Sequence, residues 1–179
     1  MNRHLLLVLI ALALGTAPSL AQSQQPYAGL EARSIKALSE QQIADLRAGR
    51  GMGLAVAAEL NGYPGPMHVL EMADALDLSS QQRAKMQELF AAMKAEAIPL
   101  GERLIAQEAE LDKAFAAKTV TPASLAAATD AIGTTHSALR QTHLKYHLSA
   151  VEVLTPAQIQ RYSELRGYKG GMQHPHSQH

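Results

Sequence analysis

The sequence predicts an all-α protein: a long antiparallel helical hairpin with shorter flanking helices, four to five helices in all. Three observations carry that expectation. Ala and Leu are abundant, aromatic residues make up only 4% of the 179 positions and Trp is absent, a composition that favours helix. No stretch alternates apolar and polar residues with β-branched enrichment. The pentapeptide Leu-Ser/Thr-x-x-Gln occurs three times, as Leu38-Ser39-Glu40-Gln41-Gln42, Leu78-Ser79-Ser80-Gln81-Gln82 and Leu154-Thr155-Pro156-Ala157-Gln158. In each, the Ser or Thr oxygen can accept from an orphan backbone N–H while the Gln three residues on reaches back to the cap's own N–H. Each copy therefore reads as a helix start. The preceding Leu can pack on the residue five further along, Ile43 in the first copy and Ile159 in the third, whereas the second copy has Arg83 there.

Residues 22–37 read as a flexible lead-in, Gln22 to Glu31 being its polar part. A first helical region starts at the Ser39 cap and runs to about Leu60, with Gly49, Gly51 and Gly53 as its break points. Asn61-Gly62-Tyr63-Pro64-Gly65-Pro66 is a dense breaker cluster and so a loop. Pro66 suits the first turn of a short helix, Met67 to Leu76. From the Ser79 cap a long helix carries Met86, Leu89, Met93, Leu100, Leu104, Leu111 and Phe115 at helical spacings, and Pro99 predicts a kink within it. A turn at Lys118 to Thr121 follows, with Thr121 as cap and Pro122 at the first helical position. The next helix keeps a heptad of Leu125, Ile132, Leu139, Tyr146 and Val153, and Thr155-Pro156 opens a last short helix to about Arg166. The helical domain thus spans 38–168. A single-layer hairpin of this kind tends to pair with a second copy, so a homodimer is expected.

The first 21 residues predict export. Arg3 and His4 form a short basic start, Leu5 to Leu14 is an unbroken apolar run, and Ser19-Leu20-Ala21 ends in small residues at the positions a signal peptidase reads. The run is too short to span a bilayer comfortably and no stop-transfer charges follow, so stable membrane insertion is not expected. The expected compartment is the periplasm. No cysteine is present, which rules out disulfides and thiolate ligands and leaves stability to helix packing. Of 16 basic side chains only Arg3 lies in the leader, leaving 15 against 16 acidic ones. That balance argues against nucleic acid or an anionic membrane as partner. There is no nucleophile with a base, no paired catalytic carboxylates and no phosphate-binding glycine loop, so an enzyme is not expected.

The histidines are the constellation that can carry chemistry. His136, Arg140, His143 and His147 share one helix and, at about 100° per residue, occupy a stripe about 60° wide. Leu125, Ile132, Leu139 and Tyr146 flank it on one side and Leu144, Leu148 and Val151 on the other, while Gln141, Lys145 and Glu152 mark the solvated face. A polar stripe inside an apolar face needs a carboxylate, a dimer partner or a metal to satisfy it. His143 and His147 have the i, i+4 spacing that lets two imidazoles hold one ion; residue 144 is Leu, so the Glu of a metalloprotease helix is missing. His68 and Glu71 are three apart on the short helix, with Met72 and Asp74 nearby, and form a second candidate ligand group. The tail 169–179 holds His174, His176 and His179; such a tract cannot pack a core but can capture Zn(II), Cu(II) or Ni(II). Any such site needs deprotonated imidazoles and weakens below about pH 6.5.

The leader, the helical body and the Leu-Ser/Thr-x-x-Gln motifs together resemble the Spy/CpxP superfamily of periplasmic LTxxQ-motif proteins, which includes the zinc-resistance-associated protein ZraP and the cobalt–nickel sensor domain CnrX. The resemblance covers roughly Leu38 to Arg166. It implies a four-helix protomer, usually a cradle-shaped or hooked homodimer in the periplasm. It also implies either heavy-metal binding in resistance or sensing, or ATP-independent chaperoning of unfolded envelope proteins. In the sensor branch the ligands are a His-x-x-x-His pair on an early helix, a carboxylate and a later His-x-x-x-Met pair. His143 and His147 match the later positions, with His in place of Met, and only His68 and Glu71 could stand for the earlier ones. The expectation is a periplasmic heavy-metal-binding stress protein that takes a divalent ion, Zn(II), Cu(II) or Ni(II). The alternatives are a metal-independent holdase or an inhibitory partner of an envelope stress sensor. Its partners would be a second copy of itself, unfolded envelope proteins or a membrane sensor.

Overall fold

The structure is a computed structural model that describes residues 27–168; residues 1–26, with the predicted leader, and the tail 169–179 lie outside the described residues. A 3-10 turn at Leu30–Ala32 precedes six helices: α1 (Glu40–Arg47), α2 (Val56–Glu59), α3 (Pro66–Glu71), α4 (Ser80–Ala116), α5 (Pro122–Val153) and α6 (Pro156–Leu165). The described residues contain no β-strand. α4 and α5 lie antiparallel as the axis of the protein, α1 and α3 pack on α4, and α2 and α3 reach α5.

All three predicted capping boxes form. Ser39, Ser79 and Thr155 each accept from the N–H of the Gln three residues on, and that Gln's side chain accepts from the cap N–H. Thr121 and Ser124 close a fourth box at the start of α5. Because the bonds lie within four residues, each start is decided locally. The first helical region does break at its glycines: Gly49, Met52 and Gly53 have φ of 66°, 43° and 83°, and right-handed helix cannot continue through them. The short helix ends at Glu71 rather than Leu76, and the chain turns on through Asp77, whose φ is 49°. α4 runs through Pro99 without interruption. Pro99 faces solvent, where water can take the carbonyl it leaves without a donor.

Two cores form along the hairpin. Ile35, Leu38, Ile43 and Leu46 pack on Ala97, Leu104 and Ile105 of α4 and Leu139 of α5. Val69, Ala73, Leu76 and Leu78 pack on Met86 of α4, Ala150 and Leu154 of α5 and its exit, and Tyr162 of α6. The leucine of every pentapeptide is thus a core residue; Leu38 joins Ile43 in the first cluster, and Leu154 packs with Ile159 in the second. Ile35 is buried although it falls in the stretch predicted to be flexible. Gly101 permits the closest approach of α1 to α4, since a Cβ there would lie 2.5 Å from the Leu46 carbonyl oxygen.

The far end of the hairpin is uncovered. Leu125 begins the heptad but is 37% exposed, and Phe115 opposite is 55% exposed. Burial along α5 increases only where the short helices and the segments joining them reach it, so Leu139 and Tyr146 are buried while Leu125 is not. Leu148, expected to flank a buried stripe, is 55% exposed because no element covers its side of the helix.

Candidate functional site

Between the short helices and the hairpin lies a cavity of about 530 Å³. Its roof is the loop Gly49-Arg50-Gly51-Met52-Gly53, one wall is Glu59 of α2 with Gly65, Met67 and His68 at the start of α3, and its floor is Phe90, Met93 and Lys94 of α4 with His143 and His147 of α5.

His143 is 3% exposed, and its Nε2 is buried without a hydrogen-bond partner among the described residues. Gly51 lies flat against the ring; a Cβ there would sit 3.4 Å from Nδ1. Burial, and then the neighbouring His147, hold the His143 imidazole below its ordinary pKa. It is therefore neutral at neutral pH and keeps an unshared nitrogen lone pair. His147, one turn on, has Nδ1 2.6 Å from the Tyr63 carbonyl oxygen. That oxygen can only accept, so Nδ1 carries a proton and Nε2 is the nitrogen left for any other contact. Gly65 makes room for it: a Cβ would lie 2.8 Å from His147 Cε1 and 2.9 Å from Nε2.

Glu59 is the centre of the polar wall, and the sequence offered no sign of it. Its Oε1 accepts from the Tyr162 hydroxyl and, at 3.0 Å, from the Tyr168 hydroxyl. His68 Nδ1 lies 3.4 Å and Arg166 Nε 3.7 Å from the same oxygen. The other oxygen accepts from Gly65 N–H at 3.3 Å and lies 3.7 Å from His147 Nδ1. Burial alone would raise the pKa of this carboxyl, but the donors, His68 first and then the two tyrosines, outweigh it and bring the group down to about 2. The same contact, added to burial, pushes the Tyr162 hydroxyl far above its usual range.

The predicted ligands separate into three sets. His143 and His147 come together on the cavity floor, and His68 joins them from α3. Glu71 does not: it is exposed, and His68 turns to Glu59 instead because the loop 61–65 folds α2 back against the start of α3. His136 shares the helical face of His143 and His147 but is exposed, two turns nearer the uncovered end and within electrostatic reach of Glu108. Arg140 is likewise exposed, so the stripe expected to be buried is buried only under the loop of α1 and α2. His174, His176 and His179 lie outside the described residues. Asp74 stays at the surface, paired with Arg83 at 2.8 Å, and Met72 packs in the second core.

A closed cage for a divalent ion does not fit these residues. Among the described residues no three His, Asp or Glu side chains converge as a ligand set, and Glu59 already accepts three hydrogen bonds, from Tyr162, Tyr168 and Gly65, with His68 and Arg166 also close to it. What does fit a metal is narrower: two imidazoles one turn apart, one with an orphaned nitrogen, on the wall of a cavity. No helix of the described residues is long and apolar enough to cross a membrane. No curated protein and no solved structure matches the chain. Residues 3–161 match the family model described as heavy-metal resistance. The match spans nearly the whole sequence and agrees with the capped helical hairpin, and the chain belongs to this heavy-metal resistance family of Spy/CpxP-like helical proteins.

Proposed function

We propose that the protein is exported to the periplasm and binds a heavy-metal ion there, in resistance or in sensing, through His143 and His147. One observation carries the reading: His143 buries a neutral imidazole whose Nε2 has no partner among the described residues. Leaving a buried polar atom unpaired is costly, and such groups persist where something outside the chain uses them. His147 adds the second lone pair at i+4, its ring oriented by the Tyr63 carbonyl, which is how a second contact fixes the tautomer of a metal-binding histidine. Glu59 holds that wall in place by tying together α2, α3, α5 and α6. Bound metal would supply a cross-link between the floor of the cavity and the loops that close it. The charge pattern of residues 1–21 supports export, and N-terminal sequencing of protein from the periplasmic fraction should begin at Gln22.

Calorimetric titration tests the site. The background is the full chain with His174, His176 and His179 changed to Ala, so that tail capture does not mask the cavity. His143→Ala and His147→Ala should each weaken uptake at least about tenfold. Equal affinity in all three proteins would remove the helical site from consideration.

A second reading, ATP-independent holdase activity, is favoured by the far end of the hairpin. Leu111, Val120 and Leu125 line a groove of about 410 Å³ there, and Phe115 stands exposed at the same end. Exposed apolar surface at one end of a monomer suits an unfolded client or a second copy of the chain. Suppression of client aggregation by metal-free protein, lost in Phe115→Ser with Leu125→Ser, is the expected outcome.

A further inference from the structure

The cavity wall carries more sulfur than the core needs. Of the five methionines in the described residues, Met52, Met67 and Met93 line this one cavity, while Met72 and Met86 belong to the second core. Two of the three are at the rim and open to solvent, Met52 at 42% and Met67 at 39%. Met52 is also held at φ 43°, between Gly51 and Gly53. A long side chain in left-handed backbone is strained where glycine would not be, and residues kept in such conformations cluster at ligand clamps.

The charges on the wall point the same way. Asp45 is matched by Arg50 at 2.6 Å. Glu59 is matched by Arg166 and saturated by its hydroxyl and N–H donors. Lys94 adds a cation over the Phe90 ring. No negative charge on the wall is left to compensate a divalent ion taken out of water, and burying an uncompensated charge is the dominant cost of such a site. The remaining donors carry no negative charge: the imidazole nitrogens of His68, His143 and His147 and three thioethers.

Resting on the metal-binding reading, we propose that the cavity is selective for a soft monovalent ion, Cu(I) or Ag(I), held by His143 and His147 together with thioethers from Met52, Met67 and Met93. Thioether sulfur prefers Cu(I) over the harder divalent ions, which favour carboxylates and imidazoles. A monovalent ion also halves the charge that neutral ligands must accommodate. Met52 and Met67, being at the rim, would close over the ion from the solvent side, and Met93 would meet it from the floor.

The test uses the full chain with the three tail histidines changed to Ala and every methionine labelled with carbon-13 at its methyl group. Silver ion, which is diamagnetic, is the first probe. Binding should shift the methyl signals of at least two of Met52, Met67 and Met93 and leave those of Met72 and Met86 in place. Silver uptake with fewer than two of the three shifted overturns the proposal. Affinities for Cu(I), measured against a competing chelator, and for Zn(II), by calorimetry, give the second readout. Cu(I) should bind at least about a hundredfold more tightly than Zn(II), and Met93→Leu and Met52→Leu should each weaken Cu(I) about tenfold while leaving Zn(II) unchanged. Met52→Leu alters only a rim side chain, so it stays informative if Met93→Leu disturbs folding. Zn(II) binding as tight as Cu(I) overturns the selectivity while leaving the His143–His147 site standing, whereas no uptake of either ion overturns the site and the selectivity together.

Discussion

The side-chain amides of Gln82 and Gln158 hydrogen-bond to each other in both directions, Gln82 Nε2 donating to Gln158 Oε1 at 2.8 Å and Gln158 Nε2 to Gln82 Oε1 at 3.1 Å. Each also closes its own capping box through Oε1. Gln82 Nε2 reaches the Val153 carbonyl at 2.9 Å and Gln158 Nε2 the Leu76 carbonyl at 3.2 Å. The second and third pentapeptides are therefore one structure, a knot that holds the starts of α4 and α6 against the end of α5. The first copy has no such partner: Gln42 only caps its own helix.

That asymmetry is measurable by denaturant unfolding. Gln82→Ala and Gln158→Ala should each cost about 1–2 kcal/mol, because a cap and a partly buried amide contact are lost together. The double variant should fall short of the sum, with a coupling of about 0.5–2 kcal/mol. Gln42→Ala should cost less than either and add to both. Strict additivity of Gln82 and Gln158 would mean that the amide pair contributes nothing.

Glu59 sets a pH dependence of stability. Its carboxyl titrates near 2 in the fold against an ordinary 4.5, so its contribution is complete above 4.5 and is lost as pH falls toward 2. Glu59→Gln should lower stability at pH 7 by about 2 kcal/mol. It should also flatten the acid limb of the stability curve between pH 4.5 and 2. Parallel curves for the two proteins would show that another group governs that limb.

Two glycines should respond to alanine with opposite signs. At Gly101 a Cβ would collide with the Leu46 carbonyl, and α1 must lift from α4; a loss of about 1–3 kcal/mol is expected. At Gly133, in the exposed part of α5, a Cβ meets nothing within 4 Å. Gly133→Ala should stabilise by about 0.5–1 kcal/mol through helix propensity. Thermal melting of the two variants decides both.

His143 should show a conflict between stability and function. His143→Leu replaces a buried imidazole that lacks a partner with an apolar side chain, so the metal-free protein should gain about 1 kcal/mol while losing metal uptake. His136→Ala, at an exposed site, should change stability by less than about 0.5 kcal/mol and leave uptake intact. A melting temperature several degrees lower in His143→Leu would show that the imidazole is satisfied after all.

What could be read from residues alone was what is settled within a few residues of itself. The helix starts at Ser39, Ser79, Thr121 and Thr155 were legible because a cap hydrogen bond spans three residues. The break at Gly49 to Gly53 and the pairing of His143 with His147 followed in the same way, from backbone freedom and from one turn of helix. His136 shares the helical face of that pair, yet periodicity could not say how far along α5 the cover of the short helices extends. Glu59 left no trace in the sequence, since its partners Tyr162 and Tyr168 lie 103 and 109 residues away. Met86 and Met93 occupy one helical stripe in the sequence, yet Met86 is core and Met93 lines a cavity.

By itself, then, the sequence determined that this protein is a capped helical hairpin and that two of its histidines share a turn. Only the tertiary structure decided that a cavity lies between the short helices and the hairpin, that Gly51 and Gly65 press against the two imidazoles, and that Glu59 rather than Glu71 faces His68. Capping and periodicity act over one or two turns. A cavity is made by elements distant along the chain failing to meet, and its position depends on all of them at once.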